Sequence, residues 1–238
     1  MAKPLVELSG VGKSFQGAEG RSDVAVLKGV DLELLRGETV AVVGPSGSGK
    51  STLLNIVGGL DVATEGEVRF DGESLVGKSS EELARLRNER IGFVFQSHHL
   101  LPQCSALENV LIPTLARSGA ADRGAEDRAR SLLERVGLGE RLNHRPGQLS
   151  GGECQRVAFV RAWIHKPDLV VADEPTGALD QDSADELSRV LAEWNREENA
   201  TLLIVTHSER LAERMGRILR LDHGQLVDAP GSTSSTPQ

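Results

Sequence analysis

The chain has 238 residues, 39% hydrophobic and 26% charged, an ordinary composition for a soluble globular protein of one or two domains. Its net charge of −8 and pI near 5.3 argue against broad nucleic-acid binding, and no apolar run approaches the roughly 18 residues of a membrane span. MAKPLVELSG lacks the basic flank and apolar core of a signal peptide, and Cys104 and Cys154 have no metal-ligand spacing, so reduced thiols and a cytoplasmic setting are expected.

Short apolar runs alternate with helical patterns, which predicts an α/β protein with a parallel sheet. DLELL (31–35) and EVRF (67–70) alternate in polarity and suit a half-exposed antiparallel sheet. TVAVV (39–43) reads as a buried strand, as do IGFVF (91–95), LVVA (169–172), TLLIV (201–205) and RILRL (217–221). SSEELARLRNER (79–90) opens with Ser79 and Glu82 in capping-box spacing. No strand is expected between 100 and 165, where 126–136 and 156–165 read as helices. This places an all-helical insertion, residues 97–165, between two halves of an α/β core, 4–96 and 166–228. SADELSRVLAEWNREEN (183–199) repeats the capping-box spacing with Ser183 and Glu186, and Leu187, Val190, Leu191 and Trp194 fall on one helix face. The tail at 229–238, rich in Pro, Ser and Thr, is expected to be disordered.

Three stretches carry chemistry. The first is GPSGSGKST: Gly44, Pro45, Ser46, Gly47, Ser48, Gly49, Lys50, Ser51 and Thr52. It follows a strand, precedes a helical run and fits the phosphate-loop pattern in the setting that pattern requires. Its glycines let backbone N–H groups wrap phosphates, Lys50 reaches the β and γ phosphates, and the Ser51 hydroxyl ligates Mg²⁺. The second is LVVADEP, an apolar strand ending in Asp173 and Glu174, where an open α/β sheet binds ligands. Alone it is no more than a solvated turn. Beside a phosphate loop, Asp173 is a Mg²⁺ ligand and Glu174 a general base for water. The third is LSGGE, 149–153, in which Ser150 and Glu153 form a capping box. A cap does not need the two glycines between them, but an anion approaching a helix N-terminus does.

Taken together these residues resemble the nucleotide-binding domain of ABC transporters over roughly 4–228. The resemblance implies a phosphate-loop ATPase fold with a RecA-like core, an antiparallel β-subdomain and a helical subdomain. It implies that Phe15 stacks on adenine, with simple core as the alternative reading of that residue. Gln96 resembles the Q-loop glutamine, a metal and coupling ligand, and His207 the switch histidine. Ser150, Gly151, Gly152 and Glu153 form the signature, and Asp180 closes a GALD segment resembling the D-loop. The implied cofactors are ATP and Mg²⁺. The implied partners are a second copy, packed head to tail across the nucleotides, and transmembrane permeases docking near 97–113, on an apolar patch of Leu100, Leu101 and Pro102. That placement is peripheral, on the cytoplasmic face of the inner membrane. No nucleic-acid partner is expected.

HHLLP, ALENV, NHRP and DEPTGALD most resemble the LolD-type subunits of lipoprotein-releasing systems. Macrolide- or peptide-exporting MacB-type and division-linked FtsE-type ATPases remain alternatives, as does a soluble ABC ATPase. Cys154 and Ala178 depart from the family pattern at the expected dimer interface. Cys154, near a helix N-terminus, also raises the reading of a redox-sensitive thiol of lowered pKa.

Overall fold

The computed structural model describes residues 3–16, 22–116, 124–177 and 179–228. Ala178 and the tail at 229–238 lie outside the described residues. In chain order the strands are β1 (Pro4–Phe15), β2 (Val24–Leu35), β3 (Thr39–Val43), β4 (Glu65–Phe70), β5 (Glu73–Ser74), β6 (Ile91–Val94), β7 (Leu169–Asp173), β8 (Thr201–Val205), β9 (Arg217–Asp222) and β10 (Gln225–Asp228). The α-helices are α1 (Lys50–Val57), α2 (Ser80–Arg90), α3 (Ala106–Leu115), α4 (Ala125–Arg135), α5 (Gly151–Trp163), α6 (Gln181–Glu198) and α7 (Glu209–Ala212). They fall into two compact units, Met1–Arg85 with Thr201–Gln238, and Leu86–Ala200.

The first unit carries an antiparallel sheet in the order β2-β1-β4-β5. Both alternating segments foreseen in the sequence, 31–35 and 67–70, lie in it, each paired with β1. β1 was not foreseen; its apolar residues Leu5, Val6, Leu8 and Val11 are buried, but Gly10 and Gly12 and several register shifts break the period-two signal. In the same unit β3 pairs in parallel with β8 and with β9, and β10 closes the edge antiparallel to β9. TVAVV and TLLIV lack alternation because β3 and β8 are buried on both faces.

In the second unit β6 and β7 pair in parallel. Helices supply the rest. Phe159, Trp163 and Trp194 form one aromatic cluster, with ring centroids 4.9–5.5 Å apart, that joins α5 to α6. Arg128 of α4 reinforces it. Its guanidinium donates to the Trp163 and Ile164 carbonyls at 2.8 and 3.0 Å, capping the end of α5, and pairs with Glu198 at 2.8 Å.

Two readings need correction. The N-cap of α6 is Asp180, not Ser183: the Asp180 carboxylate accepts from the Ser183 N–H at 3.0 Å and the Ser183 hydroxyl at 2.7 Å. The helix thus begins a turn earlier, because Asp takes the cap at least as well as Ser. Helix α3 was missed. It carries Pro113 near its end, which masks it, yet Ser105 and Glu108 form a complete capping box at its start. The expected face of α6 holds: Leu187, Val190, Leu191 and Trp194 are all buried.

Candidate functional site

In the first unit the phosphate-loop residues join β3 to α1. Gly49 sits at the N-cap of α1 with φ 103, a left-handed conformation that a side chain resists. A Cβ there would press at 3.0 Å on both Leu27 and Val26, and a Cβ on Gly44 would collide with the Leu221 carbonyl. The helix therefore starts with no side-chain cap, and its first-turn N–H groups are left for an anion. Lys50 is 7% exposed and lies across this loop, donating to the Gly44 and Pro45 carbonyls at 3.0 and 2.9 Å. The Ser48 hydroxyl is buried with no hydrogen-bond partner. Ser51 is exposed on the first turn of α1 and Thr52 is half-buried beside it. An uncapped helix N-terminus, a buried lysine and an orphaned hydroxyl fit a bound polyphosphate.

His207 belongs to the same end of this sheet. Val42 of β3 pairs with Val205 of β8, and the Thr206 N–H donates to the Val42 carbonyl at 3.2 Å. His207 follows directly and is exposed. Phe15 ends β1, 45% exposed, with the Lys13 ammonium 5.0 Å from its ring centroid. It is a surface aromatic and not core.

The second unit arranges its candidates the same way. β6 and β7 run in parallel with Val94 opposite Ala172, so Gln96 and the pair Asp173 and Glu174 leave the sheet at one end. Gln96 is exposed; Asp173 and Glu174 are half-buried. Glu174 has φ 47, a left-handed conformation costly for a non-glycine residue and of the kind concentrated at functional sites. Ser51 in the first unit, and Asp173 and Gln96 in the second, each carry a side-chain oxygen of the kind a hard cation such as Mg²⁺ takes.

The stretch at 149–153 builds the N-terminus of α5. The Ser150 side chain accepts from the Glu153 N–H at 3.2 Å, and Glu153 accepts from the Ser150 N–H at 2.7 Å. That N–H holds the Glu153 carboxyl below its ordinary pKa. Gly151 has open space where a Cβ would stand, whereas a Cβ on Gly152 would meet Leu179 at 3.1 Å. Asp180 follows one residue later as the cap of α6, so its carboxylate already serves a helix.

Cys154 is 3% exposed beneath this helix end, and burial pushes its thiol pKa up. Burial, with the neighbouring Glu153 charge, opposes the lowered pKa that the redox reading needs. The expected apolar patch is smaller than foreseen: Leu100 is 8% exposed, while Leu101 and Pro102 face solvent.

Sequence reasoning missed the side chains that hold the segment around Gln96. Gln155 donates to the Phe95 carbonyl at 3.1 Å, and Arg161 donates to the His98 and His99 carbonyls, each at 2.8 Å. Asn109, fully buried, accepts from the Leu101 N–H and donates to the Leu101, Cys104 and Ser105 carbonyls. Only polar residues on otherwise apolar helix faces hinted at them.

Residues 27–177 match the ABC transporter family. The chain is 51% identical over 227 residues to a lipoprotein-releasing system ATP-binding protein LolD of Pseudomonas syringae pv. tomato, covering 95% of this chain and 99% of that protein. It is 50% identical over 208 residues to a LolD of Legionella pneumophila, covering 87% and 91%. A macrolide export ATP-binding/permease protein MacB of Syntrophobacter fumaroxidans is 46% identical over 98% of this chain, but that match covers only 33% of MacB. An ATP-binding cassette solved as a dimer in a post-hydrolysis state with ADP and Pi superimposes with a TM-score of 0.87 at 39% identity, covering 95% of this chain and 99% of that one. The chain belongs to the ABC transporter family, as an α/β ATP-binding cassette.

Proposed function

We propose that this chain is the ATP-hydrolysing subunit of a transporter that releases lipoproteins from the inner membrane, working at its cytoplasmic face. The supporting observation is identity of 50–51% to LolD proteins over almost their whole length. A MacB-like exporter is the second reading, favoured by the 46% match. Among the described residues no helix is long and apolar enough to cross a membrane, so work on a membrane substrate goes through permease subunits, docked near 97–113.

The reaction is phosphoryl transfer to water, in which positioning and charge neutralisation dominate. The first-turn N–H groups of α1 and the Lys50 ammonium hold the triphosphate and balance its charge. Phe15 offers an exposed ring to the adenine. Glu174 takes a proton from the attacking water. His207 contacts the γ-phosphate, and Gln96 links the metal end of the site to the segment that follows it. Bound Mg²⁺, held by Ser51, Asp173 and Gln96, would neutralise charge on the β and γ phosphates. Ser150, Gly151 and Gly152, with Glu153 holding the cap, face the γ-phosphate held by a second copy packed head to tail; Asp180 lies at the same interface. Closure follows because each triphosphate contacts both copies, and phosphate loss removes the bridge.

The test is a pull-down of the tagged Glu174→Gln chain from detergent-solubilised native membranes with ATP, read by mass spectrometry. Recovery of two related permeases with lipoproteins is expected. Recovery of another permease without lipoprotein would move the reading to the exporter branch, and recovery of no membrane protein would overturn it.

A further inference from the structure

Lys13 stands two residues before Phe15 on β1. Its ammonium lies over the Phe15 ring at 5.0 Å, within cation–π range. The same ammonium pairs with Asp61 at 2.6 Å and donates to the Val62 carbonyl at 2.8 Å. The Lys13 side chain is only 12% exposed, although the Phe15 it covers is 45% exposed. Asp61 and Val62 belong to the loop that follows α1, the helix rising from the phosphate loop. Thr64 braces that loop to β1 again, its N–H donating to the Gly12 carbonyl at 2.8 Å and its hydroxyl accepting from the Ser14 N–H at 3.1 Å.

These contacts have one geometric consequence. A phenylalanine at an exposed strand end would otherwise sample several rotamers. Here one face of the ring is taken by a cation, and that cation is anchored on the loop leaving the phosphate-binding helix. The ring is thereby tied to the loop after α1, and 45% of Phe15 stays exposed.

We propose that Lys13 is a positioning residue for the nucleobase: it covers one face of Phe15 and ties the ring to the loop after α1, so that the purine of ATP stacks on the opposite face at a fixed distance from the phosphates. The inference rests on Phe15 serving as the adenine platform in the proposed function. A ring held in place loses less freedom when the base stacks, so Lys13 acts on nucleoside affinity and not on the hydrolytic step.

A double-mutant cycle on the full chain tests this, with equilibrium binding of ATP and of inorganic tripolyphosphate, alongside Mg-ATPase kinetics and melting temperatures. Lys13→Met is expected to weaken ATP binding about fivefold and to raise KM with kcat unchanged. Tripolyphosphate, which has no base, should bind Lys13→Met and the parent chain equally. Lys13→Arg should restore ATP affinity, and Lys13→Met added to Phe15→Ala should cost nothing further. Equal loss of ATP affinity with and without Phe15, or equal loss for tripolyphosphate, would overturn the inference and leave the ATPase reading intact. A parent chain that does not bind ATP, or a Phe15→Ala chain that binds it undiminished, would overturn the reading beneath it.

Discussion

Gln155 donates to the carbonyl of Phe95 at 3.1 Å, so the helix that opens with Ser150 grips the residue directly before Gln96. Arg161, two turns on, holds the His98 and His99 carbonyls. The segment carrying Gln96 is thus fastened to α5 at both ends. Gln155→Leu should leave the Phe95 carbonyl unpaired and cost about 1–3 kcal/mol of stability. Urea unfolding would measure that loss, and faster amide exchange around 96–99 should accompany it.

Glu174, the proposed general base, has a left-handed backbone. Glu174→Gln preserves the shape and removes the base. Turnover should fall by about 10²–10⁴-fold while ATP binding persists. Single-turnover kinetics with an equilibrium binding assay separate the two. Unchanged hydrolysis would place the base elsewhere.

Ser150 caps α5, and in the proposed head-to-tail dimer it faces a second copy's nucleotide. Ser150→Ala should cost about 1 kcal/mol through the lost cap. Ser150→Arg should still bind ATP but neither dimerise nor turn over, as gel filtration with ATP and phosphate release would report. Normal ATPase activity in the arginine variant would sink the head-to-tail arrangement.

Cys154 is buried with a raised pKa, so little thiolate forms at neutral pH. Alkylation of the native chain should be slow at Cys154 and fast after denaturation, with ATPase activity unchanged at early times. Mass spectrometry of the alkylated peptides gives the rates.

Three capping boxes make folding sensitive to acid. The Ser79 hydroxyl lowers the pKa of Glu82, and the Ser105 and Ser150 N–H groups lower those of Glu108 and Glu153, from an ordinary value of 4.5. A depressed native pKa means the unfolded chain takes up protons first as pH falls. The stabilisation is therefore full above 4.5 and is lost below it, as pH falls through the native values. Glu153→Gln keeps the cap geometry without the charge and should flatten that part of the profile. Denaturant unfolding stepped from neutral to acid pH reads the slope.

The sequence by itself determined the phosphate loop, the acidic pair after LVVA and the capped LSGGE turn. Each depends on local chemistry: glycines that permit φ values closed to other residues, an apolar strand that ends on a carboxylate, a Ser and Glu at fixed spacing. It determined the doubly buried strands too, because near-continuous apolar runs have few other uses. Strand β1 and helix α3 were hidden by register shifts and by Pro113, which erase the periodicities that reading relies on.

Only the tertiary structure decided the rest. Asp180 and Ser183 compete for one helix start, and spacing could not rank them. Cys154 sits by a helix N-terminus, yet burial sets its pKa. Lys13 meets Asp61 across a separation of 48 residues, and Gln155 meets Phe95 across 60. Long-range hydrogen bonds leave no periodic trace in a sequence, since any polar residue serves wherever the fold brings its partner.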